Sequence, residues 1–137
     1  MSPEVLARKL VQLRRFLEAL RCYEGATAEE VERDPFAVER LLELLVQVSV
    51  DLVAHDLRRR DMVADSYRDA FRKAGEHGIL PGDLAGRLQE AAGLRNLLVH
   101  MYEQIDYRVV AGSIAPALED FGEVLAVFEK RLAAMEE

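Results

Sequence analysis

Residues 93–102 read GLRNLLVHMY, and the segment continues through EQI to Asp106. It lies in the most helix-like part of the sequence and sets Arg95, His100 and Tyr102 among apolar side chains. Arginine keeps its charge near neutral pH and suits phosphate, whereas histidine gives or takes a proton there. Together they suit phosphodiester cleavage. His100 would act as acid or base, and Arg95 would stabilise the negative charge that develops on the phosphate.

Helical spacing alone does not bring these three side chains together. At about 100° per residue, Arg95 and Tyr102 fall on nearly the same face, and His100 lies about 140° round from Arg95. Three arrangements are open. The helix loosens near His100 through a π-type turn, the side chain of Arg95 reaches round, or two copies of the motif meet across a dimer.

The composition indicates a single helical domain covering residues 1–137. Half of the residues are apolar, only 7% are aromatic, and there is no tryptophan, which suits an all-α fold. Cys22 is the only cysteine, so no internal disulfide is possible, in agreement with a cytoplasmic location. With no signal peptide and no apolar run of about 18 residues, neither secretion nor a membrane span is expected.

The charge of the chain is unevenly distributed. The net charge of −7 argues against broad affinity for nucleic acid. Residues 56–108, however, contain nine basic and nine acidic side chains, so the acidic excess lies towards the two ends. A small electropositive cleft around the motif is therefore compatible with the sequence.

Start and stop signals predict an antiparallel bundle of four to five helices, with the second helix central. Residues 26–33 are polar and acidic and are expected to form a connection. Pro116 is expected to kink the last helix or to start a fresh segment. The expected helices run from Ser2-Pro3 to Gly25, from Asp34-Pro35 to about Arg58, from Ser66 to about Glu76, from residues 80–83 to residues 103–105, and from Tyr107 to about Met135.

The second predicted helix is mostly apolar between residues 41 and 53. A polar stripe at four-residue spacing, Glu43, Gln47, Asp51 and His55, favours a helix over an alternating strand. Its apolar excess is more than a small bundle is expected to bury, which predicts a homodimer. At the end of this helix, residues 58–60 are three arginines, which either cap the helix or contact RNA phosphate.

Gly93 stands inside the predicted fourth helix, where it costs roughly 1 kcal/mol relative to alanine. A close approach between helices or access to a cleft would explain it. No metal-ligand spacing joins His55 or His77 to a cysteine or carboxylate cluster, and no glycine-rich phosphate loop is present. The expected chemistry therefore uses no metal and no cofactor, with the 2′-hydroxyl of RNA as nucleophile.

The pattern G-L-R-N-x-x-x-H-x-Y resembles the signature of the HEPN superfamily, and most closely its HepT-like toxins. Residues 66–71 and 78–80 precede the motif at the family's usual distances, and the resemblance extends from Leu10 to about Leu132. It implies a HEPN-like helical bundle and a homodimer in which two motifs line one cleft. It also implies a ribonuclease in which His100 moves the proton and Arg95 stabilises the pentacoordinate phosphate.

Three further residues receive expected roles. Asn96 either orients the site or makes a structural hydrogen bond. Asp51 occupies a position where the family tends to carry an acidic residue facing the motif, so a pairing with Arg95 or His100 is expected. Tyr102 suits stacking on a base or donation to a phosphate. In HepT-like toxins the motif tyrosine is also the acceptor for AMP from a partner nucleotidyltransferase antitoxin.

Two functions are compatible with the sequence. The first is an endoribonuclease toxin of a type VII-like toxin–antitoxin module, restrained by a nucleotidyltransferase of the MntA type that adds AMP to Tyr102. The second is a non-catalytic helical module that dimerises, binds nucleotide and positions the nucleotidyltransferase. The intact set of Arg95, His100 and Tyr102 favours the first, whereas the acidic net charge favours the second.

Overall fold

The computed structural model describes residues 1–136, apart from the side chain of Tyr102. This part of the chain is all-α, as predicted, but it contains six α-helices rather than four or five. A short 3-10 turn, Tyr102–Gln104, joins the last two. The helices are α1 Pro3–Arg21, α2 Ala28–Arg33, α3 Phe36–Arg59, α4 Tyr67–Glu76, α5 Gly82–His100 and α6 Tyr107–Met135.

The starts of α1, α4 and α6 follow from their capping residues. The side chains of Ser2, Ser66 and Asp106 each accept a hydrogen bond from a backbone N–H two or three residues further on. Such caps satisfy donors that have no partner within the helix. The predicted starts of these three helices are therefore confirmed.

Residues 26–33 are not a plain connection, and that prediction is wrong. Thr27 Oγ1 accepts from the N–H of Glu30 at 3.2 Å, and Glu30 Oε1 accepts from the N–H of Thr27 at 3.1 Å. This reciprocal pair is a capping box, which starts α2. Val31 then anchors the short helix in the core. The acidic composition of the segment concealed this local signal.

The predicted central position of α3 is confirmed, because α3 packs against α1, α4, α5 and α6. These neighbours cover its apolar face within a single chain. Phe36, at its first turn, is the one large apolar side chain of α3 that is exposed, at 77%. The apolar excess of this helix is therefore not a reason for dimerisation, and that argument from the sequence is wrong.

The helices α4 and α5 approach each other closely through small residues. A β-carbon placed on Gly75 of α4 would lie only 2.6 Å from the β-carbon of Ala85 of α5. Because of this contact, the first turn of α4 lies beside the second half of α5. The tight α4–α5 pair therefore positions Tyr67 and Arg68 next to the motif.

The helix α5 ends at His100, not at residues 103–105 as expected. The backbone of Met101 leaves helical geometry, with φ −132° and ψ 39°. Ile105 is extended and packs against the core, and Asp106 then caps α6. The chain must turn within a few residues to bury Ile105 and to begin α6, a demand that the local sequence does not reveal.

The last helix is continuous through Pro116, so the expected fresh segment is absent. Proline removes the N–H that would bond to the carbonyl of Gly112. Both Gly112 and Pro116 are exposed, so water can satisfy that carbonyl. None of the described helices is long and apolar enough to span a bilayer.

Candidate active site

The guanidinium of Arg95 lies over the ring of Tyr67. The distance from Arg95 Cζ to the ring centroid is 4.6 Å. Tyr67 is the first residue of α4, and its ring is partly buried against the core. An aromatic face attracts a cation through its quadrupole and leaves the edges of the guanidinium free. The contact therefore holds Arg95 in place without neutralising its charge.

The hydrogen bonds of Arg95 are incomplete. Nη1 of Arg95 donates to Oδ1 of Asn96 at 3.1 Å. Its Nε is buried and has no acceptor among the described residues. No carboxylate of the described residues pairs with this guanidinium. A half-buried arginine without an anionic partner is costly, and an anionic ligand would remove that cost.

One face of α5 carries the exposed part of the motif. Gly93, Asn96 and His100 are spaced three and four residues apart, so they lie along one side of the helix. Asn96 and His100 are exposed. Through its bond to Asn96, the end of the Arg95 side chain extends to this face. The side chain of Arg95 therefore reaches round from the flank of α5 to this face. No π-type turn occurs before α5 ends.

His100 is the last residue of α5 and is open to solvent. No hydrogen bond from another described residue fixes its ring. The site is therefore a surface and not a closed pocket, a shape that admits a polymer. The structure brings Arg95 and Asn96 into direct contact and places His100 on the same face as Asn96.

Asp51 is not part of this cluster within one chain. Its carboxylate pairs with the Lys9 ammonium of α1 at 3.5 Å. The expected pairing with Arg95 or His100 is absent from the described contacts. The reason is that α3 turns Val46 and Val50 inwards, whereas Asp51, one position further round the helix, is exposed beside α1.

The side chain of Tyr102 lies outside the described residues, so its roles stay predictions. Its backbone belongs to the 3-10 turn that follows Met101. The angular comparison of Tyr102 with Arg95 assumed a continuous helix and does not apply after His100. Among the described residues, no three histidine, cysteine, aspartate or glutamate side chains are grouped to hold a metal ion.

Two residues beside the motif were missed at the level of sequence. The sequence pattern gives no role in the site to either Tyr67 or Arg68. The guanidinium of Arg68 lies against Gly93, with its Cζ 3.5 Å from where a β-carbon of Gly93 would be. Gly93 itself was the available signal, because a glycine inside a helix is one way to admit a close neighbour.

Comparison with known proteins identifies a family for this chain. Residues 6–128 match the family described as Ribonuclease HepT-like. The chain is 29% identical over 141 residues to the tRNA nuclease HepT of Aphanizomenon flos-aquae, covering 99% of this chain and 95% of that protein. It is 26% identical over 89 residues to the mRNA nuclease HepT of Shewanella oneidensis, covering 64% and 67% of the two chains.

Among solved structures, a tri-AMPylated HEPN toxin of Shewanella oneidensis in complex with an MNT antitoxin is similar in fold. The TM-score is 0.83 at 22% identity, with 95% of this chain and 99% of the other covered. This likeness concerns the fold. The extent of the match to the family model gives the assignment: this chain belongs to the Ribonuclease HepT-like family.

Proposed function

We propose that this protein is an endoribonuclease toxin that cleaves RNA with His100 and Arg95. One observation carries the proposal. Arg95 is held over Tyr67 and directed towards Asn96, yet no described carboxylate neutralises it. A phosphate is the anion that fits such a guanidinium. The names of the two curated relatives, a tRNA nuclease and an mRNA nuclease, indicate RNA as the source of that phosphate.

In the proposed reaction, the 2′-oxygen of RNA attacks the adjacent phosphorus while the bond from phosphorus to the 5′-oxygen breaks. A histidine takes the proton of the 2′-hydroxyl, and the 5′-oxygen leaves with a proton from a histidine. The products are a 2′,3′-cyclic phosphate and a free 5′-hydroxyl. Arg95 stabilises the extra negative charge of the pentacoordinate phosphate, and Asn96 keeps the guanidinium pointed at it.

A homodimer would supply two copies of His100, one for each proton transfer. The surface next to the motif suits such an interface. Met101 and Val109 are exposed at 46% and 52%. Val109 borders a groove of about 360 Å³ whose apolar lining includes the partly exposed side chains of Ala91 and Leu94. Contiguous exposed apolar surface marks interaction sites. A monomer in light scattering would contradict the dimer.

A second part of the proposal concerns how the nuclease is inhibited. The related toxin was solved with AMP groups attached and with its MNT antitoxin bound. We propose that a nucleotidyltransferase of the MntA type adds AMP to Tyr102 of this protein. The added phosphate would then pair with Arg95, and the adenosine would block the path of RNA. Replacing Tyr102 by phenylalanine deletes the acceptor oxygen. Mass spectrometry after co-expression should find AMP on Tyr102 alone in the wild type, and AMP on another tyrosine would contradict this role.

The decisive test of cleavage is His100→Ala. Purified wild-type protein should cleave RNA, and the variant should be slower by roughly 10²–10⁴-fold, because a lost general acid–base group has that effect. His77→Ala is a matched control, since His77 is exposed at the other end of the α4–α5 pair. Added EDTA should change the rate little. Undiminished cleavage by His100→Ala, in a preparation free of contaminating nuclease, would remove the catalytic assignment of His100. No cleavage by wild type would instead favour the non-catalytic module.

A further inference from the structure

Arg68 has an unusual position on the surface of α4. Its guanidinium lies in the notch left by Gly93 of α5, where a β-carbon would clash with Nη2 of Arg68. The neighbouring cations of α4 are neutralised, since Arg72 and Lys73 both pair with Asp69. Arg68 has no carboxylate partner within residues 1–136. The guanidinium in the notch is therefore a cation without a carboxylate partner in the described structure.

This cation belongs to the exposed face of the motif. Gly93 and His100 are seven residues apart, so they lie on the same side of α5, two turns from each other. Asn96, with the end of Arg95 bonded to it, lies between them. The face therefore presents the guanidinium of Arg68, then that of Arg95, then the imidazole of His100. Both guanidiniums lie near the first turn of α4, since Arg95 lies over the ring of Tyr67 and Arg68 is the next residue of that helix.

We propose that Arg68 is a second phosphate-binding residue, which holds the RNA phosphate next to the one that is cleaved. The inference rests on the proposed ribonuclease function and deepens it. RNA carries one charge per nucleotide, so a strand lying along α5 brings a neighbouring phosphate to a second cation. Gly93 serves this role by leaving room for the guanidinium. Arg68 thereby makes the site select a polynucleotide over an isolated phosphate ester.

The first test compares Arg68→Ala with Arg15→Ala, using initial rates of cleavage of unfractionated transfer RNA. Arg15 is an exposed arginine of α1, a helix that packs on α3 and α6. Arg68→Ala should raise KM roughly tenfold, the size expected for a lost charge-assisted hydrogen bond. Its kcat should change little, because a neighbouring phosphate is bound equally before and during reaction. Arg15→Ala should change neither constant.

The second test uses the notch itself, with Gly86→Ala as the matched control. Gly86 lies on the same face of α5 two turns earlier, and a β-carbon there meets nothing. Both substitutions favour the helix, so neither should lower the melting temperature. Gly93→Ala displaces Arg68, the free end of a flexible side chain, and should raise KM as Arg68→Ala does. In the Arg68→Ala background, Gly93→Ala should add nothing further.

A third measurement does not depend on cleavage. In the His100→Ala protein, binding of a fluorescein-labelled single-stranded RNA is followed against salt concentration. Removing Arg68 should make the slope of log K against log salt shallower by about 0.7, the value for one phosphate contact on a single strand. Removing Arg15 should leave the slope as it is.

The outcomes separate this inference from the proposed function. If wild type cleaves RNA while Arg68→Ala keeps its KM and salt slope, the role of Arg68 is wrong and the ribonuclease stands. If wild type does not cleave, the ribonuclease fails, and the salt slope still decides whether Arg68 contacts phosphate. If Gly93→Ala lowers the melting temperature and Arg68→Ala leaves KM unchanged, the glycine serves packing alone and the inference falls.

Discussion

Two arginines of α5, eight residues apart, have opposite surroundings. Arg87 is surrounded by carboxylates: its Nε donates to Asp120 at 2.9 Å, and its other nitrogens lie 3.3 Å from Asp83 and Glu123. Donation to the carboxylate of Asp120 raises the pKa of Arg87 further above its ordinary value. Arg95 has an aromatic ring and an amide instead, with no described carboxylate.

The difference shows which feature marks a site for an anion. Stacking on a ring is not sufficient, because Arg131 also lies over a ring, that of Phe128, at 4.7 Å. Arg131 is nevertheless paired with Asp56 and donates to the carbonyl of Ile79. It is the missing carboxylate, together with a fixed position, that distinguishes Arg95. We therefore expect Arg87 and Arg131 to support the fold and Arg95 to support the chemistry.

The largest effect should come from Arg95→Ala. It removes a preorganised donor aimed at the developing charge, so kcat/KM for RNA should fall by roughly 10²–10³-fold. The melting temperature should hold or rise, because no carboxylate loses its partner. Steady-state cleavage and thermal unfolding monitored by circular dichroism measure the two quantities. A large loss of stability would break the distinction between Arg95 and Arg87.

The converse prediction concerns Arg87→Ala. Asp120 is nearly buried, with 8% of its surface exposed, and would lose its main partner. A buried carboxylate without a partner destabilises the fold, so the melting temperature should fall by about 5 °C. Below the transition, kcat/KM should stay near that of wild type. Arg40→Ala, which breaks an exposed pair with Glu43, is the control and should change little.

A smaller effect is expected when the ring beneath Arg95 is removed. In Tyr67→Leu the guanidinium loses a cation–π contact worth roughly 0.5–1 kcal/mol and becomes less well positioned. Cleavage should therefore slow by about 2–5-fold. Tyr67→Phe keeps the ring and deletes the hydroxyl, so its rate should match that of wild type. A comparable loss in Tyr67→Phe would show that the hydroxyl acts directly and not the ring.

The smallest effect concerns the pH dependence of stability, because acid protonates the carboxylates that pair with arginines. Backbone donation from Asp65 and a side-chain bond from Arg72 lower the pKa of Asp69 from 3.8 to about 2. Because the folded-state pKa is depressed, its stabilising effect is complete above the unfolded pKa. That effect is lost as the pH falls from about 4 towards 2. Asp69→Asn should flatten the dependence of the urea midpoint on pH in that window, and an unchanged dependence would contradict this assignment.

The local sequence determined most of the helices and singled out the candidate site residues. Caps at Ser2, Ser66 and Asp106 act over two or three residues, so they can be predicted from the sequence alone. The polar stripe of α3 depends in the same way on helical periodicity. The residue types of Arg95 and His100 indicated phosphodiester chemistry, and the full pattern G-L-R-N-x-x-x-H-x-Y indicated a family. The capping box of α2 was equally local and was overlooked.

What the tertiary structure decided is which groups meet across helices. Asp51 pairs with Lys9, and the surroundings of Arg95 depend on how α4 packs on α5. The end of α5 at His100 follows from burying Ile105, and the apolar face of α3 is covered by its neighbours. The placement of Arg68 against Gly93 arises from the close contact of two helices. Caps and periodicity are properties of neighbours in sequence, whereas the partner of a charge is chosen by packing between distant segments.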